Sequence, residues 1–185
     1  MVSDNPIGAD DQQETRGPRV QLDARWVSGF VDGEGCFSVS VHRNPHVRRT
    51  RGWQIQAAFQ VYQHELHRPV LDALVDVFGC GSVRSKGPGS SVLTFTVWRL
   101  ADLEERVIPY FEQSPLLVKD RDFRLFADIV RRLRRKEHLT EIGFEQIVRS
   151  AFAMNLNGKQ RSRTLEEVLL GSSETARQAP DQRSG

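Results

Sequence analysis

Two acidic residues, Asp32 and Glu34, alternate with glycines at the end of an apolar segment that reads WVSGFVDGEGCF at positions 26–37. Asp23 precedes this segment and predicts a short helix that begins after it and ends at the glycines. A carboxylate stabilises a helix near its N-terminus and destabilises it at the C-terminus, where the helix dipole is negative. A bound cation would offset that cost, so this helix end is a candidate cation site.

The spacing of Gly29 and Gly33 indicates close contact with a second helix. Glycines four residues apart remove one stripe of side chains and let another backbone approach. Two copies of the chain packed on this stripe would bring two Glu34 carboxylates together. Like charges so close are unfavourable unless a divalent cation lies between them, and oxygen ligands of this kind suit Mg²⁺.

Other kinds of acidic or glycine-rich site fit the segment less well. An EF-hand loop that began at Asp32 would need a carboxylate at its twelfth position, where the chain has Arg43. A phosphate-binding glycine loop precedes a helix, whereas the alternating pattern of a strand follows here. An acid that lies by chance in a helix cap remains an alternative.

Hydrophobic periodicity along the chain predicts elements in the order α-β-β-α-β-β-α, with further helices at the end. Hairpins between helices favour an α+β fold with an antiparallel sheet. We expect a disordered tail at residues 1–20, one folded domain at 21–158, and a basic, then polar, C-terminal tail at 159–185.

Charge and composition limit the class of protein. The chain has 26 basic and 24 acidic residues, of which four basic and eight acidic ones lie in the two termini, 1–19 and 164–185. Residues 20–163 therefore hold 22 basic and 16 acidic residues, a net charge of +6. No apolar run approaches the roughly 18 residues of a membrane span, and Cys36 and Cys80 have no metal-ligand spacing. We expect an intracellular protein of a bacterium or an organelle, with no membrane partner.

The outward positions of the predicted strands form a polar face that almost lacks acids. We expect this face to bind double-stranded DNA, because Gln and Arg side chains make bidentate contacts with base edges in the major groove. Its residues are Ser38, Ser40, His42, Gln54, Gln56, Gln60, Arg84, Lys86, Thr94 and Thr96, and the adjoining basic loop adds Arg43, Arg48, Arg49 and Arg51. An ordinary solvated sheet face is the alternative, and the basic cluster at 119–136 is open to the same two interpretations.

The segment VSGFVDGEG at 27–35 resembles the LAGLIDADG motif of the homing endonucleases, although it differs at Val27 and Ser28 and has Glu34 where Asp is commoner. The resemblance extends over about residues 22–156. It implies the α+β fold of that family, with a saddle-shaped antiparallel sheet and extra C-terminal helices. The motif occurs once, which is typical of members that act as homodimers.

The resemblance also implies roles for individual residues. Glu34 would be the metal-binding acid and the Gly33 carbonyl a second ligand, with Mg²⁺ or Mn²⁺ as the ion. Gln63 would arrange the catalytic water, His67 stands where a basic residue is expected, and Lys119 would stabilise charge near the scissile phosphate. Arg68, beside His67, joins the predicted DNA-binding set. The implied dimer interface consists of Val27, Gly29, Phe30 and Gly33.

The implied function is site-specific, metal-dependent double-strand cleavage by a homodimer on a long pseudo-palindromic DNA site. Two alternatives share the fold: an RNA maturase, whose partner would be RNA, and a DNA-binding protein that does not cleave. An unrelated α+β domain is a third.

Overall fold

A computed structural model describes residues 21–46, 52–154 and 163–170 of the chain. Three arginines of the predicted DNA-binding set lie outside these ranges: Arg48, Arg49 and Arg51. The predicted tail at 1–20 lies outside them as well. No helix within the described ranges has the length and apolar character needed to cross a membrane.

The described chain combines one antiparallel sheet with helices, as predicted. The helices are α1 (Ala24–Glu34), α2 (Arg68–Phe78), α3 (Leu100–Asp102), α4 (Ile108–Gln113), α5 (Asp120–Arg134) and α6 (Glu141–Ala153). The strands are β1 (Gly35–Arg43), β2 (Trp53–His64), β3 (Ser82–Ser85) and β4 (Val92–Val97), in the spatial order β1-β2-β4-β3. The predicted α+β class and antiparallel sheet are confirmed.

Local sequence signals fix the ends of the helices. The Asp23 carboxylate accepts hydrogen bonds from the backbone N–H groups of Arg25 (2.8 Å) and Trp26 (3.3 Å), so it caps α1 as predicted. Gly79 ends α2 with φ 61°, a left-handed conformation that glycine adopts without a Cβ clash. Between α3 and α4, residues Leu103–Val107 form a π-helical turn within the helix predicted there.

The main core lies between the helices and one face of the sheet, and aromatic rings dominate it. The ring of Phe37 on β1 lies 5.1 Å from that of Phe59 on β2 and 5.2 Å from that of Phe126 on α5. Phe37 and Phe59 alternate with the polar positions of their strands, as the period of two predicts. The polar face is therefore left free of helices on the other side of the sheet.

The predicted C-terminal boundary is wrong for residues 163–170. Residues 165–170 are helical, and Val168 is fully buried in a second core cluster with Trp53, Phe144 and Val148. Thr164 and Glu167 form a reciprocal capping box, in which each side chain accepts a hydrogen bond from the other residue's backbone N–H. This short helix therefore belongs to the folded domain.

Helix α6 ends before the Asn157-Gly158 pair, at which the turn-forming sequence predicts its end. Its last residue is Ala153, and Met154 has extended backbone angles. The Asn157-Gly158 pair that was expected to end it lies outside the described residues.

Candidate active site and nucleic-acid interface

The two acids of the motif have different environments. Both oxygens of Asp32 accept backbone hydrogen bonds: Oδ2 from Leu117 (2.8 Å), and Oδ1 from Val118 (3.1 Å) and Lys119 (3.0 Å). These N–H groups immediately precede α5, where the unpaired amides and positive dipole of a helix start favour an anion. Asp32 lies at the unfavourable end of its own helix and at the favourable end of another.

Lys119 contacts the end of α1 in return. Its ammonium group donates to the backbone carbonyl oxygens of Asp32 and, at 3.5 Å, of Gly33. These carbonyls belong to the last turn of α1, where a cation is favourable. The end of α1 and the start of α5 are therefore joined by two charged side chains, each at the helix pole of opposite sign. Sequence spacing could not reveal this link, because its partners lie 85–87 residues apart.

Glu34 is exposed, and the structure gives its carboxylate no hydrogen bond or ion pair with any described residue. No group of three or more His, Cys, Asp or Glu side chains suited to a metal is found among the described residues. At the end of α1 the described residues thus offer the uncommitted carboxylate of Glu34 and, beside it, the Gly33 carbonyl, which also accepts from Lys119. Hard oxygen ligands of this kind suit a divalent cation.

Gln63 and His67 lie beyond the point where β2 meets the start of β1. Val61 pairs with Gly35, which follows Glu34, so Gln63 lies two residues past this junction. Gln63 pairs with Leu93 and shares the helix-facing side of β2, opposite to Gln60. His67 ends a 3₁₀ turn, Glu65–His67, and is exposed. The register therefore places Gln63 near the end of α1.

Cys36 lies at the same junction between the end of α1 and the start of β1. It follows Gly35 on the polar side of β1, opposite Gln60. Burial raises the pKa of its thiol, while the positive charge of Lys119 lowers the same pKa. The ammonium of Lys119 therefore lies close to the first polar residue of the sheet.

The predicted interface residues divide into two groups. A Cβ atom built at Gly29 or Gly33 meets no atom within 4 Å, so both glycines face open space. Phe30 lies half-buried on the same side and stacks on Trp26, which is 45% exposed. Val27, by contrast, is fully buried in the core of its own chain. Its assignment to the dimer interface is wrong, because its position in the helical repeat points it toward the sheet.

The polar side of the sheet forms an open groove of about 340 Å³. Predicted residues that line it are Gln56, Gln60, Arg84, Lys86, Thr94 and Thr96. Ser38, Ser40, His42 and Gln54 continue the same side along β1 and β2, as their pairing shows. Thr94 lies on this side but is only 7% exposed, because neighbouring side chains of the groove cover it.

Several of these polar groups already have partners. Gln54 accepts a hydrogen bond from Asn44 (2.6 Å), and Gln60 accepts one from the Tyr62 hydroxyl (3.1 Å). The hydroxyl groups of Ser38 and Ser40 donate to carbonyl oxygens of β2. Lys86 lies over the Tyr62 ring at 5.3 Å, whereas Arg84 is exposed and makes no ion pair with a described residue.

Two arginines of the predicted DNA-binding set lie elsewhere. Arg43 pairs with Trp53 on the helix-facing side, and its guanidinium group lies 4.4 Å from the centre of that ring. The sequence predicts Arg43 in the basic loop, but Arg43 is the last residue of β1; because adjacent strand residues point to opposite sides, it lies on the other side of the sheet from His42 and the groove. Arg68 lies in the first turn of α2 and forms an exposed ion pair with Asp72 (3.2 Å).

Five lining residues were not predicted as site residues: Ala58, Tyr62, Ser82, Ser85 and Trp98. Tyr62 and Ser82 follow the same alternation as Gln60 and Arg84, so the strand period alone would have identified them. Trp98 is 55% exposed and lies just beyond the end of β4.

The basic cluster at 119–136 is largely neutralised within the fold. All six of its arginines lie within 4 Å of a carboxylate, as in the pairs Arg131–Glu112 (2.8 Å) and Arg134–Glu104 (2.7 Å). These pairs join α5 to its neighbours in space and in sequence. The observation favours a solvated, ion-paired surface over a phosphate-binding one.

Comparison with known proteins gives these features a family context. The profile of the family described as "LAGLIDADG endonuclease" matches residues 27–130. A homing endonuclease of Aeropyrum pernix, I-ApeII, is 33% identical over 150 residues, which are 78% of this chain and 86% of that protein. The solved structure of the archaeal intron-encoded homing endonuclease I-Vdi141I, complexed with DNA, matches with a TM-score of 0.74 at 25% identity, over 82% of this chain and 94% of that one.

A fungal relative is much longer than this chain. "Probable intron-encoded endonuclease 2" of Neurospora crassa is 31% identical over 147 residues, which are 79% of this chain and only 31% of the relative. The chain therefore spans about a third of that protein. The resemblance inferred from VSGFVDGEG is confirmed by the profile, the relatives and the fold together, and the chain belongs to the LAGLIDADG endonuclease family.

Proposed function

We propose that the protein is a homing endonuclease that acts as a homodimer and makes metal-dependent double-strand breaks in a long, pseudo-palindromic DNA site. The observation that carries this proposal is the contrast between the two acids of the motif. Both oxygens of Asp32 accept backbone hydrogen bonds, whereas Glu34 is exposed, has no partner among the described residues, and lies at the end of the helix face that Gly29 and Gly33 leave without side chains.

Dimerisation would occur through α1 and the segment before α5. Gly29 and Gly33 allow a second backbone to approach, and apolar side chains surround them. Leu117 is 90% exposed and Val118 is 79% exposed, and both are held beside the end of α1 by Asp32. Apolar surface of this kind favours association. A two-fold axis along the glycine stripe would place the two Glu34 carboxylates side by side.

The residues at the end of α1 would then share the chemistry. Glu34 and the Gly33 carbonyl of each copy would hold Mg²⁺ or Mn²⁺, which when bound activates water and stabilises the leaving oxygen of the phosphodiester. Lys119 would offset negative charge on the scissile phosphate. Gln63 would orient the attacking water, and His67 would contribute a proton donor or a phosphate contact at the start of α2.

The groove of the sheet would read the DNA. Arg84 and Lys86 supply positive charge, while Gln56, Gln60 and Thr96 supply hydrogen-bonding groups for base edges. The similarity to a relative whose structure was solved with DNA supports this use of the fold. In a dimer the two grooves would follow one continuous site with matching half-sites.

The test uses plasmid DNA that carries the uninterrupted insertion locus of the host gene, incubated with the purified protein and Mg²⁺. We expect linear product from the wild type, and none from Glu34→Gln, which should still bind the DNA. Glu145→Gln is the matched control, because the one ion-pair partner of Glu145 in the described part of the chain is Arg149, on the surface of α6 (2.7 Å). Binding without cleavage by the wild type would overturn the proposal and favour a DNA-binding protein that does not cleave. Preferential binding of the intron RNA would favour a maturase.

A further inference from the structure

We infer that Asp32 is a positioning residue for Lys119: its carboxylate fixes the backbone of 117–119 and thereby holds the lysine ammonium at the end of α1. The inference rests on the proposed endonuclease function, and it assigns a separate task to the acid that does not bind metal.

The geometry makes the carboxylate specifically suitable. Three consecutive backbone N–H groups, of Leu117, Val118 and Lys119, point to its two oxygens at 2.8–3.1 Å. An asparagine in this position would keep one acceptor and turn an NH₂ group toward at least one N–H donor. An alanine would leave all three donors without the partner that they have here.

In the part of the chain that the structure describes, few other contacts hold the segment 117–119 in place. The side chains of Leu117 and Val118 are exposed and make no core contact, while Leu116 before them is buried. The segment is thus anchored on one side by packing and on the other by α5. Between these anchors its backbone conformation depends on Asp32, and the Lys119 ammonium follows the backbone.

The consequence is functional because the reaction requires accurate placement of charge. A displacement of about 1 Å in a catalytic group costs roughly 10²-fold in rate. At protein concentrations that keep the dimer assembled, we therefore expect Asp32→Ala to reduce single-turnover cleavage by roughly 10²-fold and Asp32→Asn by about tenfold, with the DNA affinity of the dimer unchanged. A residue that acts only through Lys119 should lose its effect when Lys119 is already replaced.

A double-mutant cycle tests this expectation. Asp32→Asn is made in the wild type and in Lys119→Met, and single-turnover cleavage and DNA affinity are measured for all four proteins. We expect no further loss of cleavage on adding Asp32→Asn to Lys119→Met. An equal loss in both backgrounds, or a parallel loss of DNA affinity, would overturn the inference. Asp120→Asn is the matched control, because it removes a first-turn acid of α5 that pairs with Arg124 (2.9 Å) and should leave cleavage intact.

Amide hydrogen exchange separates this inference from the proposed function. In the wild type the amides of 117–119 should be protected, and Asp32→Asn should accelerate their exchange at least about tenfold while leaving amides in the middle of α5 unchanged. This measurement needs no cleavage. Unchanged protection in Asp32→Asn would overturn the positioning role whether or not the protein cuts DNA.

Discussion

The rings of Trp26 and Phe30 stack on the outer side of α1, with centroids 4.9 Å apart and planes inclined by 12°. The pair stands one helical turn apart and flanks Gly29, where an added Cβ would meet no atom of the chain within 4 Å. The two rings offer a rigid apolar surface, and the glycines beside them leave the helix backbone uncovered. A second helix could pack closely against this combination. Within a single chain nothing among the described residues fills that space.

We therefore predict that Gly29→Leu and Gly33→Leu produce folded monomers. Each leucine would stand where the partner helix must approach, and we expect the dimer dissociation constant to rise by at least about tenfold, or about 1.4 kcal/mol. Thermal stability of the chain itself should not fall, because leucine favours a helix over glycine by roughly 1 kcal/mol. Sedimentation measures the association and circular dichroism the melting.

Gly35→Ala is the contrasting control for this experiment. Its Cβ would lie 2.6 Å from Val31 Cγ1 and 2.7 Å from the Val31 carbonyl oxygen, inside the chain. We expect this smaller substitution to destabilise the fold by about 1–3 kcal/mol. Equal dimerisation by Gly33→Leu and the wild type would contradict the proposed interface.

A second prediction separates the arginines of the groove from those of α5. Arg84→Ala should weaken DNA binding by about 1–3 kcal/mol if the side chain contacts a base, and should lower the salt slope by about one if it contacts a phosphate. Arg131→Ala should change neither quantity, because Arg131 is paired with Glu112 at 2.8 Å. Binding isotherms at several salt concentrations give both values. A larger effect of Arg131→Ala would place the DNA on α5 instead.

Much of this arrangement follows from local sequence. The alternation of polar and apolar residues along the strands predicts which residues of β1 and β2 share the polar side of the sheet, and Asp23 correctly predicts the start of α1. Arg43 was misplaced because it was grouped with its charged loop, although the strand period turns it toward Trp53. The bonds between Asp32 and 117–119 could not be predicted, since they join segments that only tertiary packing brings together. The short helix at 165–170 was missed because its apolar residues are few and flanked by polar sequence.

The tryptophans provide a third prediction. Trp98 is exposed in the groove, Trp26 is exposed on α1, and Trp53 is buried. DNA binding should shield the indole of Trp98, so the emission should change on adding target DNA, and this change should be absent in Trp98→Phe. Dilution below the dimer dissociation constant should change the emission of Trp26 and not that of Trp98. A DNA-induced change that persists in Trp98→Phe would contradict contact at the groove.

A fourth prediction concerns the dependence of stability on pH. His138 lies in the turn Glu137–Leu139 between α5 and α6, and its Nδ1 is buried without a hydrogen-bond partner among the described residues. Burial lowers the pKa of this histidine below its ordinary value of 6.5. As the pH falls through about 6.5, the unfolded chain binds a proton that the folded chain does not yet bind, so the free energy of unfolding must decrease.

Replacing the histidine should remove this dependence. Urea unfolding at pH 7.5 and pH 5.0 should show a smaller loss of stability for His138→Asn than for the wild type, with the difference arising below about pH 6.5. The neighbouring Glu137 does not affect this comparison. Hydrogen bonds from Arg132 and Arg135 lower the pKa of its carboxyl below 4.5, so the stability that this carboxylate contributes is lost only at a more acidic pH. Identical losses in both proteins would mean that His138 is protonated equally well in the folded chain, and the turn would then have to open to solvent at pH 5.0.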